Sequence, residues 1–398
     1  MSPPHGFPNP PRPMVDSSTS SSSSSSSFSW SWTNAVTLDL FLTVLHKTFL
    51  HPFIAWLIPL CLRAQATPYS HPSFISTTIY AILLTTVVGL GMINRLLAHG
   101  KPRVVELEDE VVLVTGGGSG LGWLVAQIYA MRGVSVAVLD VRGKGGKGEE
   151  ELGDLSSLVY YTCDVGVREQ VEEVKRKIEK DLGKPTILIN CVAAPINGLP
   201  LVSLSAKSVA NTIQSNLLSY FHTLQVFLPD ILASETGGTI VTVSSVLSYL
   251  TAAGLSDYAA TKAGVTAAHK TLEAELRVSG DDERVKMLLV ETGQMSTPLF
   301  QEVETPNRFF APVLEPVQVA NEIVSMIDSG KGGTIRLPAF ASLVGWYGVL
   351  PASIQRLARF VSGIDSAVGK GSFSAVSEKI SSSSSRRGSE SDVELIDV

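Results

Sequence analysis

Cysteine is scarce in this 398-residue chain: Cys61, Cys163 and Cys191 stand at spacings that form neither a disulfide framework nor a zinc site. An odd and sparse set of thiols fits a reducing compartment. The seven histidines, His5, His46, His51, His71, His99, His222 and His269, are scattered without metal-ligand spacing, so no metal is expected. Basic charge is not in excess either. The 31 Lys and Arg residues face 37 Asp and Glu residues, a net charge of −6, which argues against a nucleic-acid surface. The basic n-region and small-residue cleavage site of a removable signal peptide are also missing, and the first apolar segment starts too late for one.

The residues present are unevenly distributed. Met1 to Ser29 is rich in proline and serine, with Ser20 to Ser27 an unbroken run. Such a stretch cannot bury a core, so residues 1–34 are expected to be disordered, and the serine-rich residues 372–398 likewise. Residues 35–100 read as membrane-anchoring segments. Within them, Phe74 to Ala98 carries no charge before Arg95 and has the length for a bilayer core of about 30 Å. Ala35 to Leu62 is apolar but interrupted by Asp39, His46, Lys47, His51 and Pro52. A lysine at the bilayer centre costs roughly 3 kcal/mol, so a tilted, interfacial or hairpin segment is expected there. Arg95, Lys101 and Arg103 flank the second segment and place the chain beyond residue 100 on the cytosolic side.

Residues 101–338 alternate strand and helix patterns, as an α/β doubly wound parallel sheet of Rossmann type requires. Strands are expected at Val111–Thr115, Val134–Leu139, Leu158–Thr162, Ile187–Asn190, Thr239–Val243, Val285–Val290 and Thr334–Leu337. Leu121 to Arg132 reads as a helix, as does Glu169–Leu182, where Val171, Val174, Ile178 and Leu182 mark one apolar face. Arg142 to Gly153 reads as a loop extension. In residues 339–371, Ile354, Leu357, Ala358 and Val361 repeat at helical spacing with Arg356 and Arg359 opposite. This amphipathic helix could lie on a membrane, pack on the domain, or cover a substrate entrance.

Three groups of residues carry chemistry. Thr115-Gly-Gly-Gly-Ser-Gly-Leu-Gly122 follows the first strand and precedes a helix. Gly116, Gly120 and Gly122 let backbone approach a pyrophosphate at the helix N-terminus. Asp140 ends the second strand, where a carboxylate can hold adenosine ribose hydroxyls and repel a 2′-phosphate, favouring NAD, while Arg142 nearby keeps NADP open. Finally, Tyr258 and Lys262 stand four apart and share one helix face. An ammonium beside a phenol is expected to lower its pKa from about 10 toward that of a useful base. Ser245 supplies a hydroxyl that could hold a substrate oxygen.

Together with Cys163-Asp164-Val165, Asn190 and Asn216, in this order and spacing, these motifs resemble the short-chain dehydrogenase/reductase family over roughly Glu106 to Leu337. The similarity is greatest to its membrane-tethered members that oxidise retinoids, steroids and other lipid alcohols. The resemblance implies that Ser245 orients the substrate oxygen, Tyr258 is the acid/base, and Lys262 binds the nicotinamide ribose. Asn216 would hold a water linked to Lys262. Cofactor contacts are implied at Thr115, Gly116, Gly118, Ser119, Gly120, Leu121, Gly122, Asp140, Asp164, Val165, Asn190, Val192, Tyr258, Lys262, Gly293, Met295 and Thr297. Two departures stand out. Asn190-Cys191-Val192-Ala193 replaces the family's Asn-Asn-Ala-Gly, and Thr292-Gly293 replaces its Pro-Gly.

The expected protein is therefore a membrane-anchored oxidoreductase that moves hydride between NAD, with NADP possible, and a lipophilic alcohol or ketone: a retinoid, sterol or long-chain alcohol. The resemblance further implies a place on the endoplasmic reticulum or lipid droplet and a homodimer or homotetramer through the helices bearing Asn216 and Tyr258. Alternative readings are an NADPH-dependent keto-lipid reductase, a non-catalytic membrane or lipid-droplet docking protein, and a scaffold whose serine-rich tails recruit partners.

Overall fold

Seven apolar runs of four to eight residues pair side by side into one parallel sheet. In the computed structural model, which describes residues 37–142, 157–300, 303, 305 and 307–368, the strands are β1 (Val111–Thr115), β2 (Ser135–Asp140), β3 (Leu158–Thr162), β4 (Ile187–Asn190), β5 (Gly238–Ser245), β6 (Val285–Thr292) and β7 (Gly333–Leu337). Their spatial order is β3-β2-β1-β4-β5-β6-β7, every neighbour parallel. The terminal tails and the loop beyond Arg142 lie outside the described residues.

The runs are apolar throughout because both faces of the sheet are covered. Val112, Val114, Val136, Val138, Ile187 and Ile189 point into one core, shared with α4 (Gly120–Met131) and α9 (Pro316–Asp328). The alternate residues Leu113, Ala137, Leu139 and Leu188 enter a second core, closed by α5 (Arg168–Asp181), α7 (Ser219–Ala233) and α8 (Ser256–Ser279). Strand order reverses between β1 and β4, and the crevice at a doubly wound sheet's reversal point, outside the carboxyl ends of its strands, is where such folds bind ligands. β5 and β6 run two residues past the apolar patterning, because Ser244 and Ser245 pair in register with Glu291 and Thr292. The Ser244 hydroxyl is hydrogen-bonded to Thr266 Oγ1 at 2.7 Å, so polar residues persist here inside the sheet.

Before the sheet come α1 (Leu38–Lys47), α2 (Pro52–Ala64) and α3 (Pro72–His99). The interrupted segment expected to be tilted or folded back resolves into α1 and α2, bent by 49° at the break. Pro52 opens α2, where a missing N–H costs nothing. α2 and α3 pack together with Ala55 and Ala81 buried between them; small residues let two backbones approach. Trp56 Nε1 donates to Thr85 Oγ1 at 3.0 Å, and Tyr80 donates to the Phe49 carbonyl. Among the described residues, α3 alone is long and apolar enough to cross a membrane, or two spans if the bent α1–α2 pair counts as one.

This hairpin stands on two feet at the ends of the edge strand β7. At the amino end, Lys286 Nζ donates to the His99 carbonyl at 3.1 Å, and Arg103 N–H donates to the Gly330 carbonyl at 2.9 Å. The Arg103 guanidinium then lies 2.7 Å from the Glu110 carboxylate, both buried. At the carboxyl end, Leu38 N–H donates to the Phe309 carbonyl at 3.0 Å, and Ala339 N–H donates to Asp39 Oδ1 at 2.8 Å. Described residues from 37 onward, hairpin included, belong to one unit.

Beyond β7, α10 (Ala341–Tyr347) and α11 (Ala352–Ser362) follow. The chain then returns to the sheet's carboxyl end, where Val368 bridges Val303 and packs with Ala252 and Leu255.

Candidate active site

A cleft of about 550 Å³ opens at the carboxyl ends of the strands, across the point where their order reverses. The glycine loop forms one wall. Gly116 has φ +67°, and a Cβ there would lie 2.9 Å from Val192 Cα. At Gly122 a Cβ would lie 2.6 Å from the Gly116 carbonyl oxygen, so the helix and the loop can touch only through glycine. Ser119, preceding α4, makes no side-chain capping bond, and the first turn of α4 carries no acidic residue. Its N–H groups thus face the cleft as an anion site.

Gly116, Ser119, Gly120, Leu121, Gly122, Asp140, Asp164, Val165 and Val192 line this cleft, followed by Tyr258, Lys262, Met295 and Thr297 on the other side. The Asp140 carboxylate accepts from Gly118 N–H at 2.9 Å and from Arg142 N–H at 3.0 Å, which fixes its position at the end of β2. Asp164 accepts from Gly166 N–H at 2.9 Å, closing the turn after β3.

Four further residues expected to touch cofactor, Thr115, Gly118, Asn190 and Gly293, are held by contacts within the protein. Gly118 supports Asp140. Asn190 accepts from Thr223 Oγ1 at 2.9 Å and from Thr115 Oγ1 at 3.4 Å, so Thr115 and Asn190 tie β1, β4 and α7 together. Gly293 abuts Pro338, where a Cβ would approach to 2.9 Å. They shape the cleft.

The catalytic candidates meet at the cleft's base. β5 carries Ser245 at its end, α8 carries Tyr258 and Lys262 in its first two turns, and all three are buried. Ser245 accepts from Leu247 N–H at 3.2 Å, donates to the Thr292 carbonyl at 3.3 Å, and is hydrogen-bonded to the Tyr258 hydroxyl. Phe300 packs edge-on against the Tyr258 ring, centroids 6.3 Å apart. Lys262 Nζ lies 5.8 Å from that ring's centroid and donates to the Val243 carbonyl at 2.9 Å.

Burial governs the acid–base balance of this group. It drives the Tyr258 phenol above its ordinary range, and the Ser245 hydrogen bond is what opposes the rise. This corrects the expectation that the lysine draws the phenol down; the desolvation that both residues share is the larger effect. Burial lowers Lys262 to about 8, with the Cys191 thiol pulling it upward. Cys191, facing Lys262, is pushed up to about 12 by burial.

Asn216 is held between two neighbouring elements. It sits in a π-helical turn, Gln214–Leu218, between α6 (Ala206–Ile213) and α7. Its carboxamide is engaged at both atoms: Oδ1 accepts from Ala194 N–H at 2.6 Å and Nδ2 donates to Thr261 Oγ1 at 3.1 Å. Thr261 in turn donates to the Tyr258 carbonyl at 2.8 Å. The side chain positions α8 and the loop after β4 from within a π-turn, a feature common at functional sites.

Reading the sequence missed part of the wall. Cys191, Ile196, Leu299 and Phe300 line the cleft, yet apolar residues between motifs carry no signal of which way they face.

The glycine loop admits nothing larger than hydrogen at Gly116, Gly117, Gly118 and Gly122, and its close turn before a helix N-terminus suits a dinucleotide pyrophosphate. With a buried Ser–Tyr–Lys group beyond it, fold and site define a dinucleotide-dependent alcohol dehydrogenase or carbonyl reductase. Comparison with known proteins agrees. Residues 110–308 match the short chain dehydrogenase family, and the chain belongs to that family of NAD(P)-dependent oxidoreductases.

An uncharacterized oxidoreductase of Saccharomyces cerevisiae is 29% identical over 261 residues, 65% of this chain and 83% of that protein. Human retinol dehydrogenase 10 is 30% identical over 245 residues, covering 54% and 71%. The Danio rerio retinol dehydrogenase 10-B is 31% identical over 240 residues, covering 54% and 70%. Among solved structures, a short-chain dehydrogenase from Streptomyces avermitilis shares the fold with a TM-score of 0.52 at 21% identity, covering 64% of this chain and 99% of that one.

Proposed function

We propose that the protein is a membrane-anchored dehydrogenase that oxidises a lipophilic alcohol, a retinoid, sterol or long-chain alcohol, with NAD. The observation that carries this reading is the hydrogen bond from Leu38 N–H to the Phe309 carbonyl, together with that from Ala339 N–H to Asp39. The first fastens the apolar hairpin to the segment following Thr297 and Phe300, which wall the cleft, and the second to the chain leaving β7. A substrate dissolved in lipid would then reach the cleft from the side on which the anchor stands. The similarity to retinol dehydrogenase 10 supports the same substrate class.

Ser245 Oγ holds the substrate oxygen beside Tyr258 Oη; accepting the alcohol proton requires the Tyr258 phenolate, which the Ser245 hydrogen bond favours against burial. The cradle of Gly116, Gly120 and Gly122 holds the pyrophosphate, Asp140 the adenosine ribose, and Lys262 the nicotinamide ribose. When bound, the nicotinamide supplies the hydride acceptor. Asp140 favours NAD, and oxidation is the expected direction where that cofactor is kept oxidised. α3 would span the bilayer of the endoplasmic reticulum, or the hairpin would sit in a lipid-droplet surface, with the catalytic domain in the cytosol. A homodimer or homotetramer through α7 and α8 belongs to the same reading.

The test is turnover by purified full-length protein in lipid, screened against retinol, sterols and fatty alcohols with NAD and NADP. Oxidation of one class with NAD, abolished in Tyr258→Phe, is expected. Full turnover by Tyr258→Phe would overturn the mechanism, and activity only with NADPH on ketones would reverse the direction.

A further inference from the structure

The helix α11 is turned inside out. Gln355, Ala358, Arg359 and Ser362 occupy its half-buried side, while Ile354, Leu357, Phe360 and Val361 face outward. Phe360 is 83% exposed and Leu357 60%, values opposite to those of an amphipathic helix covering a core. The polar side is held by the turns that flank the helix. Arg359 Nε donates to Asp365 at 3.0 Å, and Gln355 Nε2 donates to the Leu350 carbonyl at 2.8 Å. The preceding helix α10 does bury an apolar side, Ala341 and Val344, yet it also leaves Leu343 67% and Trp346 70% exposed.

The chain entering this apolar face is tied to the hairpin. Ala339, two residues before α10, is hydrogen-bonded to Asp39 of α1, a helix that itself leaves Phe41 and Val44 exposed. Arg356 is exposed next to Phe360 on the following turn, where a long basic side chain can reach past an apolar surface to phosphate headgroups. A tryptophan on the same surface suits the boundary between headgroups and acyl chains.

We infer that the outward face of α10 and α11 is a second membrane contact, lying in the plane of a phospholipid surface and seating the cleft's rim against it. The inference rests on the proposed membrane anchoring. Occupancy by lipid, rather than by a second copy of the chain, is argued by that tie to the hairpin and by the flanking arginine.

The experiment is tryptophan quenching of the full chain reconstituted in phosphatidylcholine vesicles with brominated acyl chains. Emission of Trp346 is taken as the difference between the native protein and Trp346→Phe, and that of Trp56 likewise from Trp56→Phe. Expected is loss of roughly half or more of the Trp346 emission, as for a side chain at the acyl boundary. The loss should disappear in Leu357→Glu/Phe360→Glu, whose altered side chains are exposed and leave the fold intact. Quenching of Trp56 without Trp346 would overturn the inference while leaving the anchor in place. No quenching of either would remove the anchoring reading with it. A doubled mass in detergent, reverted by the double variant, would assign the face to a second copy and also overturn the inference.

Discussion

Asp39 and Ala339 stand 300 positions apart and are joined by a hydrogen bond of 2.8 Å, from the Ala339 N–H to the Asp39 carboxylate. The bond links the first turn of α1 to the residue that follows β7 and cis-Pro338, so the apolar hairpin is fastened to the carboxyl end of the sheet's edge strand. Asp39 was legible in the sequence only as a charge interrupting an apolar run.

Asp39→Ala removes the acceptor and leaves the Ala339 N–H without its partner, at a cost of roughly 1 kcal/mol. Amide hydrogen exchange at Ala339 and at residues 307–310 should accelerate several-fold, while exchange in β1 stays unchanged. Equal protection throughout would show that the two ends of the chain are held by packing alone.

Tyr258→Phe keeps the ring that packs against Phe300 and deletes only the hydroxyl. Turnover should fall by about 10²–10⁴-fold with the melting temperature nearly unchanged, since general acid–base catalysis contributes on that scale. Ser245→Ala should likewise lower kcat, and it also removes the acceptor for Leu247 N–H, so some stability goes with it.

Lys262 gives a pH signature. Its folded pKa of about 8 lies below the ordinary lysine value of 10.5, so between these values the unfolded chain binds more protons than the folded one. Stability therefore rises with pH across that window, and the burial penalty is fully present below pH 8. In the native protein, unfolding free energy measured against denaturant should climb from pH 8 to pH 10 relative to Lys262→Met. Parallel pH profiles of the two proteins would contradict the burial argument.

Asp140→Ala should weaken NAD binding by roughly tenfold, as loss of a charged hydrogen-bond acceptor does, and narrow the preference over NADP. The substitution also frees Gly118 N–H, so part of the loss comes from the glycine loop itself. Titration of both cofactors separates the two effects, because loosening of the loop weakens both while loss of ribose selection weakens only NAD.

The sheet was readable because its strands are short, apolar on both faces and separated by turn residues, and β1, β3 and β4 begin and end where patterning puts them. The ends of β5 and β6 were not, since their last residues are hydroxylic and pair through backbone groups that carry no side-chain pattern. Tyr258 and Lys262 were legible by helical spacing, yet the direction of the phenol's pKa shift depends on burial, which spacing does not report. The π-turn holding Asn216 and the inward polar face of α11 escaped for a related reason. Periodicity locates a helix and its two sides without saying which side meets the protein.

Lys286 receives the end of α3 at the His99 carbonyl, 187 positions earlier in the chain. Made from the N-terminus onward, the apolar hairpin exists well before the residue that will cap it; at typical elongation rates the interval is on the order of ten seconds or more. During that time α3 has no seat on the domain and its apolar length must be shielded by something else. On the proposed anchoring, delivery of the hairpin to lipid precedes completion of the enzyme, and the sheet closes against it afterwards.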